Sequence, residues 1–226
     1  MALTRTTLNR EAYKALRNAI LNRKLPPGKK LIVRALGEEL GLSPTPIKEA
    51  LSALEREGLV VAVPHRGYFV LEPTPADIHE IYSLREVLEG LAARLAVEGG
   101  DQALVPRLEK LLAQQRKAAE RGDLGFYGDL DLEFHKAFWE ASRNRRLLAT
   151  AETIDGQIRI LINSSAVIPG RLPESRAEHE AILQAVAGQD PEAAEAAMRQ
   201  HVRNARRALE AYLLKGKAVL DGHRAG

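Results

Sequence analysis

The 226-residue chain contains no cysteine, which excludes disulfides, thiolate nucleophiles and cysteine-ligated zinc. That absence suits a reducing compartment, and the expected location is the cytoplasm. Long apolar runs are missing too. The opening MALTRTTLNREAYKALRNAI holds no signal-peptide core, and no stretch approaches the roughly 18 apolar residues of a membrane helix. Neither a low-complexity tract nor a repeat of fixed period is present. What remains is 45% hydrophobic residues, enough for packed cores, in a length suited to one large domain or two ordinary ones.

The net charge of +3 hides an asymmetry. Residues 1–73 carry 12 Lys and Arg against 7 Asp and Glu, whereas the remainder carries 21 against 23. A basic first third joined to a slightly acidic remainder suits a nucleic-acid module fused to something else. The boundary falls at Glu72-Pro73-Thr74-Pro75, where two prolines stop the preceding strand before helical periodicity resumes. The expected domains are residues 1–73 and 74–226.

Leu31 to Val70 carries the clearest pattern. It reads as two short helices, a third helix and a two-stranded β-ribbon, the order of a winged helix-turn-helix. Gly41 ends one helix, and Ser43 is placed to cap the next, with Pro44 and Pro46 in its first turn. Ile47, Ala50, Leu51 and Leu54 form its apolar face, while Thr45, Lys48 and Ser52 lie on another face. Pro64-His65-Arg66-Gly67 turns the ribbon. Such a fold offers a helix sized for the DNA major groove beside a basic hairpin. Ser43, Thr45 and the helix N-terminus are candidates for phosphate contact, and the His65-Arg66-Gly67 tip for phosphate or the minor groove.

Beyond residue 74 no strand pattern is evident. Helices are expected at about 75–98, 102–121, 125–142, 145–166, 173–188 and 191–215, forming an antiparallel bundle. The fold class is mainly α: an N-terminal winged helix-turn-helix and a C-terminal helical bundle. Asp131 and His135, four apart, share one helix face. His179 and His201 lie on two further helices, with apolar neighbours. Each histidine taken singly reads as a satisfied or solvated polar residue. Taken together, one carboxylate and three imidazoles suit a divalent metal, zinc first, with nickel, iron or manganese as alternatives.

The run LSPTPIKEALSALEREGLV, with LPPGKKL before it and HRGYFV after it, resembles the winged helix of the GntR family of bacterial transcription regulators. LREVLEGLAARLA, DLEFHKAFWEASRN, EHEAIL and MRQHV resemble the all-helical effector-binding (FCD) domain of its FadR-type branch, in the shorter, VanR-like six-helix version. The likeness runs from about Arg10 to Tyr212. It implies a homodimer on semi-palindromic operator DNA, usually as a repressor, and a metal held by Asp131, His135, His179 and His201. His65, His79 and His223 have no counterpart in that set. Arg34 matches a family DNA contact and Lys48 stands where a recognition-helix arginine usually lies. Pro44 replaces another such arginine, which forgoes a bidentate guanine contact.

Four protein ligands would leave two positions of an octahedral ion open to a small carboxylate effector. Arg85, in LREVLE, is the first candidate for its charge partner, with Arg159 and Asn163 behind it; Arg85 could instead pair with Glu89 at i+4. The expected function is a DNA-binding regulator whose operator affinity follows a carboxylate metabolite. The alternatives are a constitutive regulator with a structural metal, or a metal-dependent enzyme, for which no acid–base partner is evident.

Overall fold

The computed structural model describes the backbone of residues 5–222 and the side chains of residues 8–214, so His223 lies outside the described residues. Two compact units divide the chain, Met1–Pro73 and Thr74–Gly226.

In the first unit α1 (Arg5–Leu21) packs on α3 (Pro44–Arg56). Ala12, Leu16 and Ile20 recur every four residues and are buried with Ile47, Ala50, Leu51 and Leu54. The short helix α2 (Val33–Leu40) ends at Gly41, whose φ of 66° takes the left-handed cap that glycine adopts without strain. Ser43 sits at the N-cap of α3 with extended backbone, yet its hydroxyl makes no capping bond. The third residue of that helix is Pro46, so the N–H that a cap would most often serve does not exist.

Strands β2 (Val60–Val63) and β3 (Gly67–Val70) pair antiparallel, with Val61 opposite Phe69. A further strand, β1 (Lys30–Leu31), adds to β3 and gives the order β1-β3-β2. The ribbon expected as two-stranded is thus three-stranded. Leu31–Val70 holds two helices rather than three, because the first helix of the motif is α1, upstream of that segment. At the ribbon tip Arg66 N–H donates to Val63 O, with Pro64 and then His65, at φ 59°, as the central turn residues.

The second unit is all-helical: α4 (Pro75–Glu98), α5 (Leu104–Glu120), α6 (Leu124–Ala141), α7 (Arg145–Thr153), α8 (Asp155–Ser165), α9 (Arg171–Ala187) and α10 (Pro191–Gly222). Thr74 and Asp77 start α4 with a reciprocal capping box around Pro75. The helix expected at 145–166 is two helices. The chain breaks at Ile154, with φ −110° and ψ 5°, as its side chain packs on the core. That core gathers Phe134, Phe138 and Trp139 of α6 with Ala92, Ala93 and Ala96 of α4, small residues that let helices approach closely. Among the described residues, no helix is long and apolar enough to cross a membrane.

Candidate metal centre and nucleic-acid interface

Helix α6 brings Asp131 and His135 to the bundle interior, α9 brings His179 and α10 brings His201. All four are buried, the histidines to 3% exposure or less. One ring nitrogen from each histidine lies within 4.8 Å of the others. His179 Nε2 stands 3.3 Å from His201 Nε2 and 3.6 Å from Asp131 Oδ1, and His135 Nε2 is 3.7 Å from Asp131 Oδ2. The four sequence candidates therefore converge.

The outward nitrogens of the three rings face acceptors. His201 Nδ1 lies 2.7 Å from Glu178 Oε2, His179 Nδ1 3.2 Å from Gln115 Oε1, and His135 Nδ1 2.6 Å from Glu89 Oε2. In the tautomer that carries the proton on Nδ1, toward these acceptors, each Nε2 presents a lone pair to the interior. Burial pushes His179 well below the usual histidine range, and the nearby His201 and His135 rings lower it further. Burial also lowers His201, partly countered by its bond to Glu178. Burial disfavours the ionised Glu89 and Glu178 too. Arg85 and His135 outweigh it for Glu89, and His201 and Arg171 for Glu178, so both are held at about 2.

Three inward lone pairs and a carboxylate crowd one point, and His135 Nε2 has no hydrogen-bond partner among the described residues. Such a set is suited to hold a cation, since buried acceptors facing each other repel. The donor set fits a borderline divalent ion.

Arg85 is 2% exposed, and its Nε donates to Glu89 Oε1 at 2.8 Å, the pairing its i+4 spacing allowed. It also lines a cavity beside the cluster, with Asp131, His201, Tyr82, Tyr127 and Arg171. Arg159 pairs with Asp129 instead, and Asn163 is buried against Gly128, so neither lines that cavity as Arg85 does. Sequence reasoning missed Gln115, Arg171, Tyr82 and Tyr127. Arg171, buried to 3%, donates through both terminal nitrogens to Glu178, at 3.0 and 2.6 Å. A basic residue at a helix start carries no signal of burial, so nothing in the sequence marked it. His79 is exposed, 3.9 Å from Glu210.

On the first unit, Arg34, Ser43, Thr45, Lys48, His65, Arg66 and Gly67 are all exposed. Arg34 pairs with Glu38 one turn on. The Arg66 and Lys30 cations lie 5.5 and 6.0 Å from the Phe69 ring centre, so two basic side chains gather about that ring of the ribbon.

The family model of bacterial regulatory proteins, gntR family, matches residues 8–70, and that of the FCD domain matches residues 80–204. The chain is 31% identical over 192 residues to the HTH-type transcriptional regulator YdhC of Bacillus subtilis, covering 84% of each protein. It is 28% identical over 199 residues to the HTH-type transcriptional repressor RspR of Escherichia coli, covering 86% of each. The crystal structure of a GntR transcriptional regulator from Rhodococcus sp. RHA1 superposes with a TM-score of 0.76 at 22% identity, over 89% of this chain and 96% of that one, a likeness of fold.

Proposed function

Because this chain belongs to the gntR family of bacterial regulatory proteins and carries an FCD domain, we propose that it is a repressor whose hold on operator DNA is set by a small carboxylate bound at a metal centre. It is a DNA-binding transcriptional regulator rather than an enzyme, as the family and its relatives agree. The repressor sense is supported by the name of its Escherichia coli relative.

One observation carries the sensor reading. Three imidazoles turn their Nε2 atoms inward beside Asp131 because Glu178, Gln115 and Glu89 take up their Nδ1 atoms, and a cavity opens against that cluster. His135, His179, His201 and Asp131 would hold the ion. It would supply a Lewis-acid anchor for a carboxylate oxygen. Arg85 presents a guanidinium to the same cavity, with Arg159 and Asn163 kept as outlying candidates.

For DNA, α3 is the reading helix, with Ser43, Thr45 and Lys48 along its start, Arg34 from α2 beside it, and His65, Arg66 and Gly67 at the wing tip. Two chains pair so that their reading helices meet half-sites about one DNA turn, roughly 34 Å, apart. The segment Pro73–Pro75 joins the two domains covalently and is where they would be coupled. A ligand alters DNA affinity only if it prefers one state of the chain.

The test is a thermal-shift screen of metal-analysed protein against small carboxylates, repeated after chelation, followed by operator release measured by fluorescence anisotropy. A carboxylate that stabilises only metal-loaded protein and changes DNA affinity is the expected result. Metal-dependent stability with no response in either assay assigns the ion a structural role and removes the sensor.

A further inference from the structure

We propose that the groove between α1 and α3 seats one sugar–phosphate strand of the DNA at the flank of the half-site, with Arg10 of α1 on one wall and Lys48 and Arg56 of α3 on the other. This makes α1 a second DNA-binding helix, and it rests on the reading of α3 given above.

The register of the two helices builds the groove. Asn9 Nδ2 donates to Glu49 Oε2, and the Tyr13 hydroxyl and Arg17 Nε both donate to Glu57. Positions 9 to 17 of α1 thus match 49 to 57 of α3, so the helices run parallel with their starts at the same end. Between them lies an open groove lined by Asn9, Arg10 and Tyr13 of α1 and by Lys48, Ser52 and Arg56 of α3.

Helical spacing says where DNA would meet that groove. Thr45, Lys48, Glu49, Ser52 and Arg56 recur at i, i+3, i+4, i+7 and i+11, a stripe centred opposite the buried Ile47, Ala50 and Leu54. That stripe is the edge α3 offers to a major groove. A major groove about 12 Å wide places its bordering phosphates roughly 6 Å from the midline. Helices packed side by side have axes about 8–10 Å apart. With α3 centred in the major groove, the phosphate ridge on the α1 side therefore falls between the two helix axes, over the groove they share.

Charge decides what the groove can hold. Arg10, Lys48 and Arg56 are exposed, and none of them has a partner among the described residues. The acids on this side of α3 are occupied by α1: Asn9 takes up Glu49, and Tyr13 with Arg17 takes up Glu57. One unpaired cation on a surface is ordinary. Three facing each other across a groove, with the adjacent carboxylates already bonded, form a seat for a run of anionic groups. The Ser52 hydroxyl adds a neutral donor of the kind that phosphate oxygens accept.

The experiment is fluorescence anisotropy of the full chain on a labelled, mixed-sequence DNA duplex of about 30 base pairs, roughly three turns, over a series of salt concentrations. A phosphate contact is indifferent to base sequence, so the probe need not carry the operator. Arg10→Ala should weaken binding and reduce the slope of log K against log salt by about one, and Arg10→Ala with Arg56→Ala by about two. Arg10→Lys should keep the wild-type slope, because a point charge serves a phosphate. Each variant is confirmed folded by circular dichroism. Lys24→Ala removes one charge from the same unit, roughly 16 Å or more along α1 at about 1.5 Å per residue and beyond the ~8 Å screening length, and should leave the slope unchanged. A wild-type slope in the Arg10→Ala, Arg56→Ala chain, or an equal fall in Lys24→Ala, overturns the seat, and α3 keeps its reading role if Lys48→Ala still weakens binding. Binding unmoved by any of these substitutions, Lys48→Ala included, overturns both.

Discussion

His179 and His201 point the same ring nitrogen at each other across 3.3 Å, while their other nitrogens are taken by Gln115 and Glu178. With Nδ1 protonated on each ring no proton remains between them, and both are buried where a second protonation is disfavoured. A bound cation would relieve this contact.

Replacing His179 with alanine should therefore abolish stoichiometric metal, read by plasma mass spectrometry on dialysed protein. Binding at a hundredfold excess over Kd stabilises by about 2.7 kcal/mol. The metal-dependent part of the melting temperature of wild type should disappear in the variant, and chelator should no longer shift it. Retained stoichiometry in His179→Ala would remove this residue from the ligand set.

Glu178→Gln tests the outer support of the same centre. The carboxylate accepts from His201 Nδ1, from Arg171 and from Asn204, and an amide cannot accept from all of them. Metal affinity should fall by about ten- to a hundredfold, measured by competition with a chelating dye. An unchanged affinity would mean that His201 is oriented by packing alone.

At the DNA end, Ser43→Ala separates two roles of one hydroxyl. Typical N-cap losses are about 1 kcal/mol, but the Ser43 hydroxyl makes no capping bond. Its removal should leave the urea midpoint unchanged while weakening operator binding. A clear loss of stability with normal DNA affinity would reverse that assignment.

Lys48→Ala should weaken binding evenly over operator and non-operator sequences and reduce the slope of log K against log salt by about one. This follows from an exposed ammonium on α3, beside the buried face of Ile47 and Leu51. A loss confined to particular bases would instead make Lys48 a base contact.

Gly128 of α6 owes its identity to space rather than to backbone freedom. A Cβ there would lie 2.0 Å from Asn163 Oδ1 of α8, inside any real contact. Gly128→Ala should cost about 1–3 kcal/mol, seen as a lower urea midpoint, and Gly128→Ala with Asn163→Ala should recover part of it.

Much of this was legible in the sequence for identifiable reasons. Thr74-Pro75-Ala76-Asp77 announces its helix start, and Gly41 its helix end, because caps are local chemistry. Asp131 and His135 share a face by helical spacing alone. The break at Ile154 has no proline or glycine at the residue itself, and tertiary packing of its side chain decides it. The two-residue strand β1 is too short for alternation to register. Gln115, Arg171, Tyr82 and Tyr127 enter the site through the rotation of separate helices about their axes, which one amphipathic pattern does not fix to the needed few tens of degrees. Ser43 looked like a working cap because the rule weighs the cap residue and not whether the N–H two positions beyond the first turn's start exists.

Trp139, 1% exposed in the last turn of the helix that carries Asp131 and His135, is the chain's one tryptophan. The protein thus holds a native fluorophore confined to its second unit, four residues along α6 from His135. Emission excited at the indole band follows the unfolding of that unit alone, whereas far-ultraviolet ellipticity sums both. Differences between those two signals along a denaturant titration measure how independently the DNA-reading part and the ligand-binding part melt, without any label.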